Sequence, residues 1–530
     1  MKRTASKVVS VLTVAALVLT GCGKSKSSEE IAKEAFDEEK AALTTDFSVN
    51  YDGIAVSDYS AKVSVHDPSI VEFDGTYYIY GSHRATAKTT DFHTWESVQG
   101  GAAQKGSVYY DIANRDEPFV LTGSPKSPIR TDDGTTHIWA PDVKYSAKAG
   151  KYYMYFCTSS NYYSSTVCYA TSDSPDGPFE WKGNIVYSGY DMDNIKKTNV
   201  LDVVDEKHVK ETYMVDQGVS YKYNNQKWPN CIDPTIFWDK DGRMWMTYGS
   251  WSGGIFLLEI DETTGEAIRP KEDVANNVDP YYGKHLIGGG HTSIEGPYIL
   301  YDNVSGYYYL FVSYGALQRS GGYQIRVFRS ETPDGNYVDM NGQAPQIRSG
   351  NPVLFGLKMT GNYMLPSLSQ AYMATGHNSA MVASDGKRYI AYHTRFEKKG
   401  EFHEPRVHQY FTNEEGWPCM LPYMTDGETI SETGYTAQEI AGEYYVINQG
   451  SAINAEIAEP IKLVLTEKGN VFGKGVTGTW EQKENSYFMH INYDGKEYSG
   501  VFCKMNDEAG TACMTFSAVG NNQSIWGVKY

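Results

Sequence analysis

Cysteine is scarce in this chain: seven occur in 530 residues, and no two are spaced as C-x-x-C. That excludes a disulfide-framed scaffold and a zinc-type cluster. Cys157 and Cys168 fall on neighbouring expected strands and could pair, as could Cys503 and Cys513; buried free thiols are the expectation. Positive charge is also short, 47 Lys and Arg against 65 Asp and Glu, for a net charge of −18. So acidic a body repels phosphate backbones and anionic lipid, which excludes nucleic acid as a partner and suits a neutral one. Beyond the first 21 residues no apolar run approaches the length of a membrane-spanning helix. Apolar spacing of about 3.6 residues is nearly missing too, so few helices are expected. What abounds is tyrosine, 43 residues, in stretches rich in aromatic and β-branched side chains, and the body should be mostly β.

Those stretches are one phrase written five times: GTYYIYGS from Gly75, GKYYMYFC from Gly150, GRMWMTYG from Gly242, GYYYLFVS from Gly306 and GKRYIAYH from Gly386. Each follows a short apolar partner and a turn, which makes an antiparallel hairpin. Five hairpins recurring roughly 60–90 residues apart predict radial repetition, a five-bladed β-propeller. The innermost strand of each blade starts beside the central channel. Opening those strands are His66-Asp67-Pro68, Ala140-Pro141-Asp142, Asp233-Pro234, Glu295-Gly296-Pro297 and His377-Asn378. Two Asp, one Glu and one His are thereby delivered to a single axial pocket. Crowded like charges raise one another's ionisation cost, so a purely structural propeller would have no use for them there.

The first stretch is an address. Lys2, Arg3 and Lys7 precede an apolar run from Val8 to Leu19, and Leu19-Thr20-Gly21-Cys22 resembles the lipobox of bacterial lipoproteins. That resemblance implies a signal peptide over 1–21, lipid on Cys22 and a place at the cell surface, lipid-anchored or extracellular after secretion, with that lipid the only contact with membrane expected. Losing those three cations takes the charge from −18 to −21. Residues 22–54 read as a polar, partly helical tether. The propeller is placed at 55–428 and a second domain at 436–530, since some five hundred residues exceed one core. The insertion from about Ile185 to Trp228 is too long for a routine connection and is expected to cover one face of the channel.

The ordered set VHDPSIV, WAPDVKY, CIDPTIFW, SIEGPYIL, TGHNSAM and YHTRF resembles glycoside hydrolase family 43, over roughly residues 55–425. The tail RVHQYFTNEEGWPCMLPY resembles that of its extracellular two-domain endo-α-1,5-L-arabinanases. The resemblance implies an inverting glycosidase, with Asp67 as general base, Glu295 as general acid and Asp233 orienting that acid and raising its pKa. Inversion needs two carboxyl groups about 6.5–9.5 Å apart, so that a water fits between base and sugar. Separate blades provide such a gap. His377 matches a residue that faces one divalent metal, usually calcium, at the channel centre; hardness alone makes a lone His a poor calcium ligand. Asp142 follows its proline instead of preceding it and is assigned a structural role, with Trp139 as a pocket wall.

Trp139 and Trp251 are candidates to stack on sugar rings, and Arg395 and His66 to bind the sugar. After Pro422 alternating apolar and polar strands read as a small antiparallel β-barrel or sandwich without a second carboxylate pair, a brace in preference to a weak glycan contact. Alternatives of the same family are an exo-acting α-L-arabinofuranosidase or a β-xylosidase. From another class, a non-catalytic glycan-binding lipoprotein would have lost the acid or the base. A monomer acting on a neutral polysaccharide is expected.

Overall fold

The computed structural model describes residues 27–98, 105–113, 138–159, 163–218, 220–344 and 355–530. The expected leader and Cys22 lie outside the described residues. The chain divides into two units, Met1–Asp46 and Phe47–Tyr530. In the first, one helix spans Ser28–Ala42, started by a capping box between Ser27 and Glu30 and burying no side chain.

The second unit is all-β. Every repeated phrase pairs antiparallel with its upstream partner: Ser69–Phe73 with Thr76–Gly81, Trp139–Ser146 with Lys151–Ser159, Thr235–Trp238 with Met244–Tyr248, Ile294–Asp302 with Tyr307–Tyr314, and Tyr372–Val382 with Arg388–Phe396. The first hairpin turns on Asp74 (φ 48°) and Gly75 (φ 73°), a two-residue turn with both centres left-handed, which Asp-Gly readily adopts. The five upstream strands touch in a closed circuit, each beside the next and the fifth beside the first.

Four of the repeats are sheets of their own, three of four strands and one of six, so four blades of a propeller stand free. The expectation of five blades is corrected to four at the fourth repeat. Its outermost strand, Leu357–Thr360, bonds in parallel to the last strand of the chain, Gln523–Lys529, through Lys358 and Gln523. A twelve-stranded sheet therefore runs from that repeat into the C-terminal module. The physical reason is an open strand edge, which the module covers.

The module is a closed barrel of eight antiparallel strands from Gly442–Asn448 to Gln523–Lys529, the last pairing with both the first and the seventh. Its interior is filled by Leu463, Trp480, Ile491, Phe502 and Phe516 among others, as an eight-stranded barrel allows. Alternate residues point outward. Val501, Cys503 and Met505 pack with Tyr363, Tyr372 and Trp417 of the propeller in one core.

Within the insertion, Tyr190, Ile195, Val209, Tyr213, Tyr223 and Trp228 are buried with Tyr281 and Tyr282 in the core between the second and third repeats. It is a packed wedge. All six described cysteines are free and buried. Cys168 faces Phe156 across the ladder and Cys157 faces Val167, so the two thiols point to opposite faces of the sheet. Cys503 and Cys513 lie opposite Thr515 and Met505, out of register with each other.

Candidate active site

Every upstream strand has a left-handed residue at or near its inner end: Asp67 (φ 52°), Ala140 (φ 41°), Asp233 (φ 55°), Gly296 (φ 57°) and His377 (φ 47°), the last within a longer strand that is also left-handed at Ala374 (φ 48°). For a residue with a β-carbon this costs on the order of 1–3 kcal/mol, so the surroundings must impose it. The imposing groups come from the preceding repeat. The Ala140 amide donates to Ser82 Oγ (2.9 Å), the His377 amide to Ser313 Oγ (2.7 Å) and the Asp67 amide to His393 Nδ1 (3.3 Å). The Asp233 amide bonds the Cys157 thiol. Ser82, Cys157, Ser313 and His393 are the last letters of four copies of the repeated phrase. The third copy ends in Gly249, which has no side chain, and there Asp233 Oδ2 itself accepts from the Gly296 amide (3.1 Å). This ring of side-chain locks was readable in the sequence only once the register was known.

The register also corrects an expected equivalence. Asp67 and Asp233 occupy the left-handed position, but Glu295 stands one residue before it, in line with His66 and Trp139. Gly296 takes the left-handed place, where a β-carbon would lie 3.1 Å from His377 Cγ. The acid side chain thus leaves the strand in a different direction from the two aspartates.

Asp67, Asp233 and Glu295 gather around His377, whose charge acts on all three and which feels all three in return. Asp67 Oδ1 lies 3.0 Å from His377 Nδ1, and Oδ2 lies 2.8 Å from His66 Nδ1 and also accepts from Ser82 Oγ. Burial pushes the Asp67 carboxyl up, but the His377 and His66 imidazoles prevail and hold it well below the usual range. It is an ionised carboxylate with fixed lone pairs. Burial pushes Asp233 up to about 7; the His377 charge opposes this, while negative charge on Glu295 and Asp67 adds to it. Burial raises Glu295 as well, against His377 and hydrogen bonds from Tyr323 and Ser250. Burial thus favours the protonated form of both Asp233 and Glu295. Desolvation would discharge His377, yet the carboxylates around it lift its imidazole to about 9.

The remaining expectations divide. His66 stacks on His393 at 4.3 Å and braces Asp67. Trp139 is half-buried, edge-on to the exposed His83 at 6.3 Å. Trp251, half-buried beside the exposed His291, donates its indole N–H to Glu295 Oε2 (2.9 Å). Arg395 is buried, with Nε on the Leu317 carbonyl (2.8 Å) and 3.2 Å from Glu401 Oε2, so its guanidinium is engaged by protein. Asp142 is structural: it accepts from Ser69 Oγ (2.6 Å) and the Ile236 amide (2.7 Å). Sequence reasoning missed Tyr323, whose buried ring lies parallel to His393 at 5.8 Å. Its signal was Gly376, where a β-carbon would meet that ring at 2.3 Å.

Among the described residues, donor atoms close enough to hold a metal occur at His66, Asp67 and His393. The two imidazoles are nearly parallel, 23° between planes, so their in-plane lone pairs run side by side and do not converge on an ion. His377, the expected metal residue, spends Nδ1 on Asp67 and has its other nitrogen to offer, in surroundings whose carboxylates favour a cation. A separate cavity of about 380 Å³ draws on all five upstream strands, through Ile70, Lys144, Ile236, Tyr298 and Ala380 among others, and contains none of the expected site residues.

Comparison with known proteins bears on the family and the fold. The sequence model of glycosyl hydrolases family 43 matches residues 214–418, and that of a C-terminal lipocalin-like domain matches 422–527. The extracellular endo-alpha-(1->5)-L-arabinanase of Thermotoga petrophila is 37% identical over 484 residues, 88% of this chain and 93% of that protein. The extracellular endo-alpha-(1->5)-L-arabinanase 2 of Bacillus subtilis is 36% identical over 510 residues, 92% and 98% of the two chains. A crystal structure of the Thermotoga petrophila endo-1,5-alpha-L-arabinanase superposes with a TM-score of 0.74 at 35% identity, covering 89% of this chain and 99% of that one. A family 43 glycoside hydrolase from Bacillus licheniformis gives a TM-score of 0.74 at 35% identity, over 88% and 98%. Similarity of this depth across both the propeller and the barrel places the chain in glycoside hydrolase family 43.

Proposed function

We propose that the protein is an inverting endo-α-1,5-L-arabinanase that cleaves internal bonds of arabinan outside the cell. The observation that carries this reading is the split between two carboxyl groups that both interact with His377, Asp67 held ionised and Glu295 pushed toward its protonated form. Two such carboxyls divide the labour of inversion. Asp67 takes a proton from water as that water attacks the anomeric carbon. Glu295 gives a proton to the departing glycosidic oxygen. Asp233 sits against the Gly296 amide, beside the acid, and its charge discourages Glu295 from losing its proton early. Near-full-length similarity to proteins named endo-arabinanases supplies the substrate class and the extracellular site.

In this reading the first four strands of the twelve-stranded sheet count as a fifth blade, supported by the closed circuit of upstream strands. The catalytic domain is taken as 55–428 and the barrel as 436–530, behind a lipid anchor at Cys22 and a tether to residue 54. The chain is taken to act as a monomer. His377 would hold one calcium ion through its free-facing side, with water completing the oxygen shell that calcium prefers. The ion would add positive charge to the hollow.

Product analysis tests the reading. On debranched arabinan an internal cut yields a ladder of oligosaccharides and a fast fall in viscosity, and proton NMR of the first products reports the inverted anomer. Arabinose alone from the start, or turnover of xylosides in its place, would replace the endo-arabinanase reading with an exo-acting or xylosidase one.

A further inference from the structure

Of the three site carboxylates, Glu295 has one oxygen singled out by two donors from a single loop. Oε2 receives the Ser250 hydroxyl at 3.0 Å and the Trp251 indole N–H at 2.9 Å. An indole nitrogen can only donate. Oε2 is therefore obliged to accept, and a protonated carboxyl accepts well only through its carbonyl oxygen. The Tyr323 hydroxyl also reaches the carboxyl. A hydroxyl can give or take, so it does not discriminate between the two oxygens.

The donors are anchored to the strand they serve. Ser250 and Trp251 follow the strand Met244–Tyr248, and the Trp251 amide donates to the carbonyl of Ile294 (2.8 Å), the residue next to Glu295. Trp251 is left-handed (φ 47°), and its own carbonyl accepts from the Gly254 amide (2.8 Å). A ring kept only as a platform for sugar has no need of a fixed Nε1, nor of a strained backbone tied to the neighbouring blade.

We propose that Trp251, assisted by Ser250, fixes the labile proton of Glu295 on Oε1 and so aims it at the glycosidic oxygen. This rests on Glu295 being the general acid. In the step, the bond from C1 to the glycosidic oxygen breaks and its electron pair stays on that oxygen. The Oε1–H proton completes the new hydroxyl of the departing chain, water oxygen bonds C1, and the proton it sheds goes to Asp67. Trp251 is a positioning residue, since it touches the acid and acts through it.

The test is the dependence on leaving group. Trp251→Phe keeps the ring and removes the donor. Linear arabinan, whose alkoxide needs a proton to depart, should lose about 10–100-fold in kcat, within the usual reach of general acid catalysis. A 4-nitrophenyl α-1,5-arabinotrioside, whose phenolate departs unaided, should lose less than about 3-fold by the same logic. Ser250→Ala should show the same split with a smaller amplitude, and it decides the matter if the Phe variant melts early. Equal losses on both substrates in the folded variants overturn the proposal and leave Trp251 as a platform. Wild-type arabinan turnover by Glu295→Gln would instead remove the acid assignment on which the proposal stands.

Discussion

Each carboxyl of the site owes its charge state to burial and to named neighbours, and removing a neighbour moves the charge in a definite direction. Ser82 Oγ serves two masters: it accepts from the Ala140 amide and donates to Asp67 Oδ2. Ser82→Ala should cost about 1.5–3 kcal/mol of Asp67 positioning, the worth of a hydrogen bond to a charged group. The measurement is kcat/KM on arabinan at constant melting temperature, with a fall of roughly 10–100-fold expected. On the proposed reading, Asp233→Asn removes a negative charge that discourages Glu295 from ionising. The acid then lets go of its proton at lower pH, so the alkaline limb of the kcat/KM profile should move down. An alkaline limb that stays in place would show the two groups to be uncoupled. His377 also links charge to stability. Its raised imidazole contributes stability fully present below about 6.5 and lost as pH rises through about 9. His377→Gln should therefore cost more melting temperature at pH 6 than at pH 10.

At the scale of an element, the opening of each upstream strand is a kinked joint. A residue there is bent into left-handed backbone, and the strand's register is disturbed just after it in the second, fourth and fifth repeats. Gly296 carries this demand most plainly, because both its φ and the His377 ring exclude a side chain. Gly296→Ala should lower stability by about 1–3 kcal/mol. Activity should fall further, because the displaced strand carries Glu295; urea unfolding and arabinan turnover report the two separately. This element also marks where sequence reading stopped short. The dipeptides Asp67-Pro68 and Asp233-Pro234 and the tripeptide from Glu295 to Pro297 picked out strands whose carboxyls gather around His377. They did not reveal that Glu295 is offset by one, because the offset appears only when Gly296 is seen to hold the bent position.

The whole molecule is stitched together at the seam between propeller and barrel. Besides the parallel bridge at Lys358, Asn522 Nδ2 donates to Asp339 Oδ2 (2.7 Å), the Ser524 hydroxyl to the Lys358 carbonyl (2.8 Å), and Tyr372 bonds Glu508. Trp526, Val528 and Val501 of the barrel are buried in the propeller's own core. A chain ending at residue 430 would expose that apolar face and leave the strand Leu357–Thr360 as an open edge. Expression of that fragment should yield aggregate in place of active propeller; a soluble, active fragment would show the barrel to be dispensable. For the calcium part of the reading, exhaustive chelation should lower arabinan turnover and melting temperature together, with calcium restoring both. Unchanged values after metal removal would return His377 to its role as Asp67's partner alone.

The sequence by itself determined the repeat, and through it the β architecture, the five strand openings and the residue types that meet there. Period-two apolar patterning and turn glycines are local signals, legible one hairpin at a time. It also determined that Asp142 is not one of the site carboxylates, since its place after Pro141 is a local fact. Only tertiary structure decided what depends on contacts between repeats: that His66 braces Asp67, that Arg395 is engaged by Glu401, and that the indole of Trp251 reaches Glu295. The same holds for the fourth repeat's sheet, which continues into the barrel. Residues hundreds of positions apart become partners only when the ring closes, and no periodicity along the chain encodes which side chain will face which.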